Sequence, residues 1–250
     1  MTNVFSYSLT VNELAILLLV AVFVGVAKAG VAGAGMAVIP LLAITFGGKE
    51  SSGLLLPILI FADIFAVFYY HKHANWHHLK RLLPFAFIGV MLGTYLGDIL
   101  NDAHFKGVMA GIIVVSLCIM VWREKNKSPQ LPDSKMISAS IGISGGVATM
   151  IGNLAGPIMA LYLLAMRLPK TEFIGTAAWF FLIINVIKVP FHVFVWHTIS
   201  LNTALLGLLL IPAIGFGVFI GVKAIKRMND VFFRYLVITM TAVTAVAMLI

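Results

Sequence analysis

Apolar residues in this chain gather into long runs, separated by short polar or Gly/Pro clusters. The runs fall near residues 13–28, 32–46, 51–70, 83–100, 104–122, 136–150, 155–166, 172–195, 201–222 and 231–250. One helical crossing of a bilayer takes roughly 20 apolar residues. The pattern therefore predicts an all-α polytopic membrane protein with about eight to ten transmembrane segments. The second, sixth and seventh runs are short for a crossing and read as half-helices or strongly tilted spans. No Lys or Arg precedes the run at 14–27, so it reads as a retained membrane segment rather than a cleaved signal peptide.

Composition narrows the class further. The 250 residues are 61% hydrophobic and only 10% charged, whereas a soluble domain carries about 25% charged residues. A cytosolic enzyme is excluded. The single cysteine, Cys118, excludes a disulfide framework and a multi-Cys metal site. The +8 formal charge would suggest nucleic acid on a soluble protein, but here its placement reports topology. With connections alternating between sides, one side receives nearly all Lys and Arg, from Lys28 through the 72–81, 123–135, 167–170 and 223–234 clusters. The other receives Lys49 and Lys106, and Lys188 lies inside a run. The rich side is expected to be cytoplasmic, which puts both termini outside.

The two halves resemble each other. Glu50, Gly53 and Asp63 match Glu172, Gly175 and Asn185 at a constant offset of 122. Pro84, Gly89, Gly93, Asn101, Asp102, Phe105 and Lys106 match Pro212, Gly217, Gly221, Asn229, Asp230, Phe233 and Arg234 at a constant offset of 128. Residues 1–122 form one membrane repeat, 123–135 a hydrophilic cytoplasmic linker, and 136–250 a second repeat. Each repeat holds an odd number of segments, so the two insert in opposite orientation. That is the inverted-repeat plan of many secondary transporters, whose sites lie near the midplane where helices are interrupted.

Both halves carry such an interruption: Gly30–Gly35, including Gly33 and Gly35, and Gly145–Pro157, including Gly152, Asn153 and Gly156. A helix starting after a break directs free N–H groups and a positive dipole end at its surroundings, which suits an anion. Pro157 fits the first turn of such a helix. Small-residue helix packing through Gly152 and Gly156 is the competing explanation. Asp63 and Lys188 sit inside apolar runs, where charge is costly and marks function by default. Asn185 and Lys188 are three apart and share a helix face. Lys188 and Asn185 are candidates to hold the anion, with Asp63 pairing with Lys188 or taking a proton. Against this, Lys188 snorkels to the interface and Asp63 caps a neighbouring helix. Lys28 is either a second anion contact or, by preference, a cytoplasmic-end snorkeler.

The HKHANWHH stretch (His71, His73, His77, His78) has no Cys or carboxylate beside it and reads as a polar interfacial loop rather than a metal site. Trp76, Trp122 and Trp196 fit an aromatic belt, and His192 and His197 the outer end of their span. There is no GxxxxGK[ST] phosphate loop, no HExxH and no GxSxG. No cofactor, nucleic-acid partner or catalytic residue is expected.

AGVAGAGMAVIPLL (29–42), GNLAGPIMALYLL (152–164), EFIGTAAWFFLIINVIKVPFH (172–192) and the terminal Gly217/Gly221…Phe233-Arg234 pattern resemble, in order and spacing, the TauE/SafE family of sulfite and organosulfonate exporters. The resemblance covers essentially the whole chain. It implies a bacterial inner-membrane secondary carrier, moving a small sulfur-containing anion outward and holding it between the two Gly-rich breaks. It points to the second-half break with Asn185 and Lys188 as the substrate region. Ala32-Gly33-Ala34-Gly35 and Asn153-Leu154-Ala155 depart from more glycine-rich family versions. The alternatives are another small anion, the import direction, a metal-cation carrier using Asp63 and the histidines, or a membrane structural or assembly component without transport. Lipid is the surrounding partner, and a homodimer fits the small and aromatic surface residues.

Overall fold

The computed structural model describes residues 2–4, 7–31, 38–46, 48–99, 111, 114–115, 117–119, 121–126 and 134–249. Among the described residues, regular structure is helical apart from a short antiparallel hairpin, Thr2–Val4 with Tyr7–Leu9. Helix α1 (Val11–Lys28) starts at a reciprocal cap: the Thr10 hydroxyl accepts from the Glu13 N–H, and the Glu13 carboxylate accepts from the Thr10 N–H. It is followed by α2 (Val38–Phe46), α3 (Gly48–Tyr70) and, after a single 3-10 turn, α4 (Trp76–Ile99). The second half supplies α5 (Lys135–Gly152), α6 (Ala155–Ala165), α7 (Lys170–Phe194), α8 (Leu201–Leu209), α9 (Ile211–Lys226) and α10 (Asp230–Leu249).

Four helices are long and apolar enough to cross a membrane: Val11–Lys28, Glu50–His73, Trp76–Ile99 and Lys170–Phe194. A fifth crossing is made if α8 and α9, bent by 48° at Leu210, count as one span. The protein is thus a multi-pass membrane protein with about four or five full-length spans among the described residues, together with shorter helices. The 11 residues of α6 extend only about 16 Å, roughly half the hydrocarbon thickness. Large apolar side chains such as Phe68, Tyr95, Phe194 and Phe219 face outward, a surface that suits lipid and not water.

Three local readings change. The HKHANWHH stretch is not one loop: α4 begins at Trp76, and His78, Leu79 and Leu82 are buried while Lys80 is exposed, so these residues present an amphipathic face. Gly145 and Gly146 lie inside α5. The second-half interruption is therefore confined to Asn153 and Leu154. Gly152 and Gly156 consequently stand on different helices, and no continuous small-residue face joins them.

Glycines bring the long helices together. On α5, Gly146 faces the Ala86 carbonyl and Gly89 of α4, while Gly89 in turn faces the Ile143 carbonyl. On the other flank, Gly25 of α1 meets the Ile214 carbonyl of α9, and Gly217 of α9 meets the Val22 carbonyl of α1. Such seams let backbones approach closely where no hydrophobic drive exists between helices in lipid. Between the two pairs lie α3, α7 and the almost wholly buried α6.

A methyl group at Gly146 would collide with backbone, whereas one at Gly111 would meet nothing within 4 Å. The Gly146→Ala variant is expected to lose about 2 kcal/mol or more, read as a lower melting temperature in detergent, with Gly111→Ala unchanged. Equal melting of the two variants would contradict the seam.

Candidate functional site

The site begins where α5 ends. Asn153 adopts the left-handed conformation (φ 57°, ψ 28°), one of the few non-glycine types that does so readily. Its N–H reaches the Thr149 carbonyl at 2.9 Å, and the Leu154 N–H reaches the Ala148 carbonyl at 3.1 Å, closing the helix end. The chain then continues into α6, whose first turn is Ala155, Gly156 and Pro157. Proline there removes an N–H that no helical carbonyl would accept from anyway, and the remaining first-turn donors form the positive end of the α6 dipole.

The turn also aims the Asn153 side chain. Its Nδ2 donates to the Ser52 hydroxyl at 3.2 Å, and its Oδ1 accepts from Lys188 Nζ at 2.5 Å. Lys188 is fully buried and also donates to Thr149 Oγ1 and Asn185 Oδ1, each at 3.4 Å. Asn185, three residues before Lys188 on the same face of α7, donates through Nδ2 to Asp63 Oδ2 at 2.7 Å. The other oxygen of Asp63 lies 2.8 Å from Lys28 Nζ. The Lys28 ammonium in turn sits 4.1 Å above the Phe181 ring. One polar chain therefore runs Lys28–Asp63–Asn185–Lys188–Asn153–Ser52, tying α1, α3 and α7 to the break.

Beside this chain lies a cavity of about 130 Å³. Its polar lining comes from Lys28, Thr149, Asn153 and Asn185, with Gly30 and Gly156 offering bare backbone, and its remaining walls are apolar. Gly30 holds φ 118°, which suits glycine and no other residue well. A cation, two carboxamides, a hydroxyl and a helix N-terminus converge here, a donor set suited to a small anion.

Of the sequence candidates, Asn153, Gly156 and Asn185 line the cavity. Gly152 is buried at the end of α5 and Lys188 lies behind the wall; neither is among the lining residues. Gly33 and Gly35 lie outside the described residues. The partner of Asp63 is Lys28, not Lys188, and Lys28 is no snorkeler: only 14% of its side chain is exposed. Thr149 was not anticipated, although its place four residues before Asn153 marks it as a neighbour on the same helix side. Lys28 had a signal too, since it ends α1 just before Gly30.

At the other end of α7, His192 is buried and shares a hydrogen bond with the Thr198 hydroxyl at 2.8 Å. Trp196 is also buried, packed edge-on against His192, with its indole donating to the Thr94 carbonyl. Neither is an interfacial anchor, whereas Trp76 and Trp122 are exposed. His78 bonds the Tyr162 hydroxyl at 2.8 Å. No group of three or more metal-ligating side chains gathers among the described residues.

A family model described as Sulfite exporter TauE/SafE matches residues 17–248. A comparison with curated proteins finds no match. The chain belongs to the TauE/SafE family, a family of membrane transporters of sulfur anions.

Removing Lys28 while keeping Asp63 leaves a buried carboxylate without its cation. Lys28→Met is expected to cost about 3–5 kcal/mol of stability. The double variant Lys28→Met with Asp63→Asn should recover most of that loss, read by unfolding in detergent as a non-additive cycle. Additive losses would mean that the pair is not coupled.

Proposed function

We propose that this TauE/SafE family member is a secondary transporter that exports sulfite or an organosulfonate across the bacterial inner membrane. The observation that carries the reading is the convergence of the Lys28 ammonium and the first turn of α6 on one small cavity. A sulfonyl group presents three acceptor oxygens, which match the N–H donors and hydroxyl around it. The apolar remainder of the wall, including Phe181 and Leu163, accommodates the carbon end of a sulfonate.

Lys188 supports the site indirectly. By engaging the oxygens of both Asn153 and Asn185, it holds two cavity-lining carboxamides in fixed orientation. The rival metal-cation carrier is poorly served: Asp63 already accepts from Asn185 and pairs with Lys28, and no carboxylate is found among the described residues lining the cavity.

The two-repeat plan fits the packing. Asp63 and Asn185, equivalent under the 122-residue offset, touch each other at 2.7 Å, as residues on a pseudo-two-fold axis would. The α1–α9 and α4–α5 seams are likewise exchanged by the repeat. Rocking of one half against the other would then expose the cavity to each side in turn. Without a phosphate loop in the sequence, transport is not driven by ATP bound to this chain. Moving Lys28 into the core takes one cation from the basic side and leaves the direction of the sequence bias intact, which supports termini on the outside.

Flux into proteoliposomes tests this across sulfite, alkanesulfonates and divalent cations. Sulfite or a sulfonate is expected to move, and Lys28→Met to weaken its binding at least about tenfold. Movement of divalent cations with no oxyanion would overturn the reading. An unchanged anion affinity in folded Lys188→Ala would leave Lys188 as an anchor only.

A further inference from the structure

Charge is scarce around the cavity, so its sum can be counted. Among the described residues lining it, Lys28 is the only ionisable side chain. Residues 32–37, which lie outside the described residues, are Ala, Gly and Met in the sequence. Two further groups stand directly behind the wall. Asp63 lies 2.8 Å from Lys28, and Lys188 is held by three neutral side-chain oxygens. The three groups together carry at most one net positive charge.

A monovalent anion entering this site closes the balance at zero. A dianion of the same size leaves excess negative charge in a site largely walled by apolar side chains, where like charges interact far more strongly than in water. Asp63 has no easy retreat, because its second oxygen is bound by Asn185 at 2.7 Å. Nor does it touch the ligand space itself, being fully buried and absent from the lining. Its effect is exerted through Lys28, whose charge it already partly neutralises.

We infer that Asp63 is a specificity-determining residue, a built-in counter-charge that restricts the cavity to monovalent oxyanions and turns away dianions of similar size. This rests on the anion-carrier reading and narrows its substrate class to alkanesulfonates and the singly protonated form of sulfite. Asn185 positions the carboxylate, and Lys28 transmits its charge to the ligand.

Methanesulfonate and sulfate separate charge from size, being tetrahedral oxyanions of similar volume with one and two charges. Their affinities for the purified full-length protein in detergent are measured by equilibrium dialysis at fixed pH and ionic strength. Wild type is expected to prefer methanesulfonate by about tenfold or more. Asp63→Asn, which retains an oxygen that can accept from Asn185, should raise sulfate affinity about tenfold and leave methanesulfonate less changed. A purely structural role for Asp63 would move both affinities together. The inference is overturned if wild type binds sulfate as tightly as methanesulfonate, or if folded Asp63→Asn keeps the wild-type ratio. Should Asp63→Asn not fold, the wild-type ratio alone decides. Binding of neither ion, nor of sulfite, would overturn the carrier reading as well, whereas binding of both at an unchanged ratio removes only the charge limit.

Discussion

The buried ion pair between Lys28 and Asp63 is the constraint around which the centre of this protein is arranged. A carboxylate in the interior of a membrane protein needs a cation and hydrogen-bond donors, and here the cation at one oxygen and the donor at the other come from different helices. Lys28 ends α1, Asp63 lies on α3 and Asn185 on α7. Meeting that demand fixes the mutual position of three long helices. Through Lys188 the same chain reaches Asn153, and so reaches the helix break that borders the cavity.

The network functions because the helices outside it stand close. Glycine seams at Gly25 with Gly217, and at Gly89 with Gly146, bring backbones into direct contact on the two flanks. Wider flanks would separate α1 from α3 and pull Lys28 beyond reach of Asp63. The short helix α6 completes the arrangement from inside. It is too short to cross the hydrocarbon and almost wholly buried, so its N-terminal donors lie in the interior rather than at a solvated surface.

Much of this was legible in the chain itself. Long apolar runs gave a polytopic helical membrane protein, and the ordered Gly/Pro/Asn motifs pointed to the family that the match over residues 17–248 establishes. Asn185 and Lys188 share a face because three residues separate them, and the break beside Pro157 was visible as punctuation. Other features were not legible. The break is narrower than its glycines suggest because glycine signals flexibility and close packing alike, and here Gly146 packs against α4 while Gly145 faces Ile158 of α6. Trp196 and His192 lie near the end of a run, as interfacial residues do, but α4 covers Trp196 through Thr94 and Gly97, and Trp196 packs in turn against His192.

What the sequence determined alone was everything governed by local periodicity and composition: membrane class, helix breaks, shared faces and the shortage of charge. The tertiary structure decided which charges meet. Spacing along one helix says which side chains are neighbours on that helix, but the partner across a crossing depends on the position and rotation of the other helix. That is why Lys188, the obvious intramembrane cation, stands behind the wall while Lys28 both neutralises Asp63 and faces the cavity. One lysine organises the site and the other lines it, a division of roles that follows from helix packing.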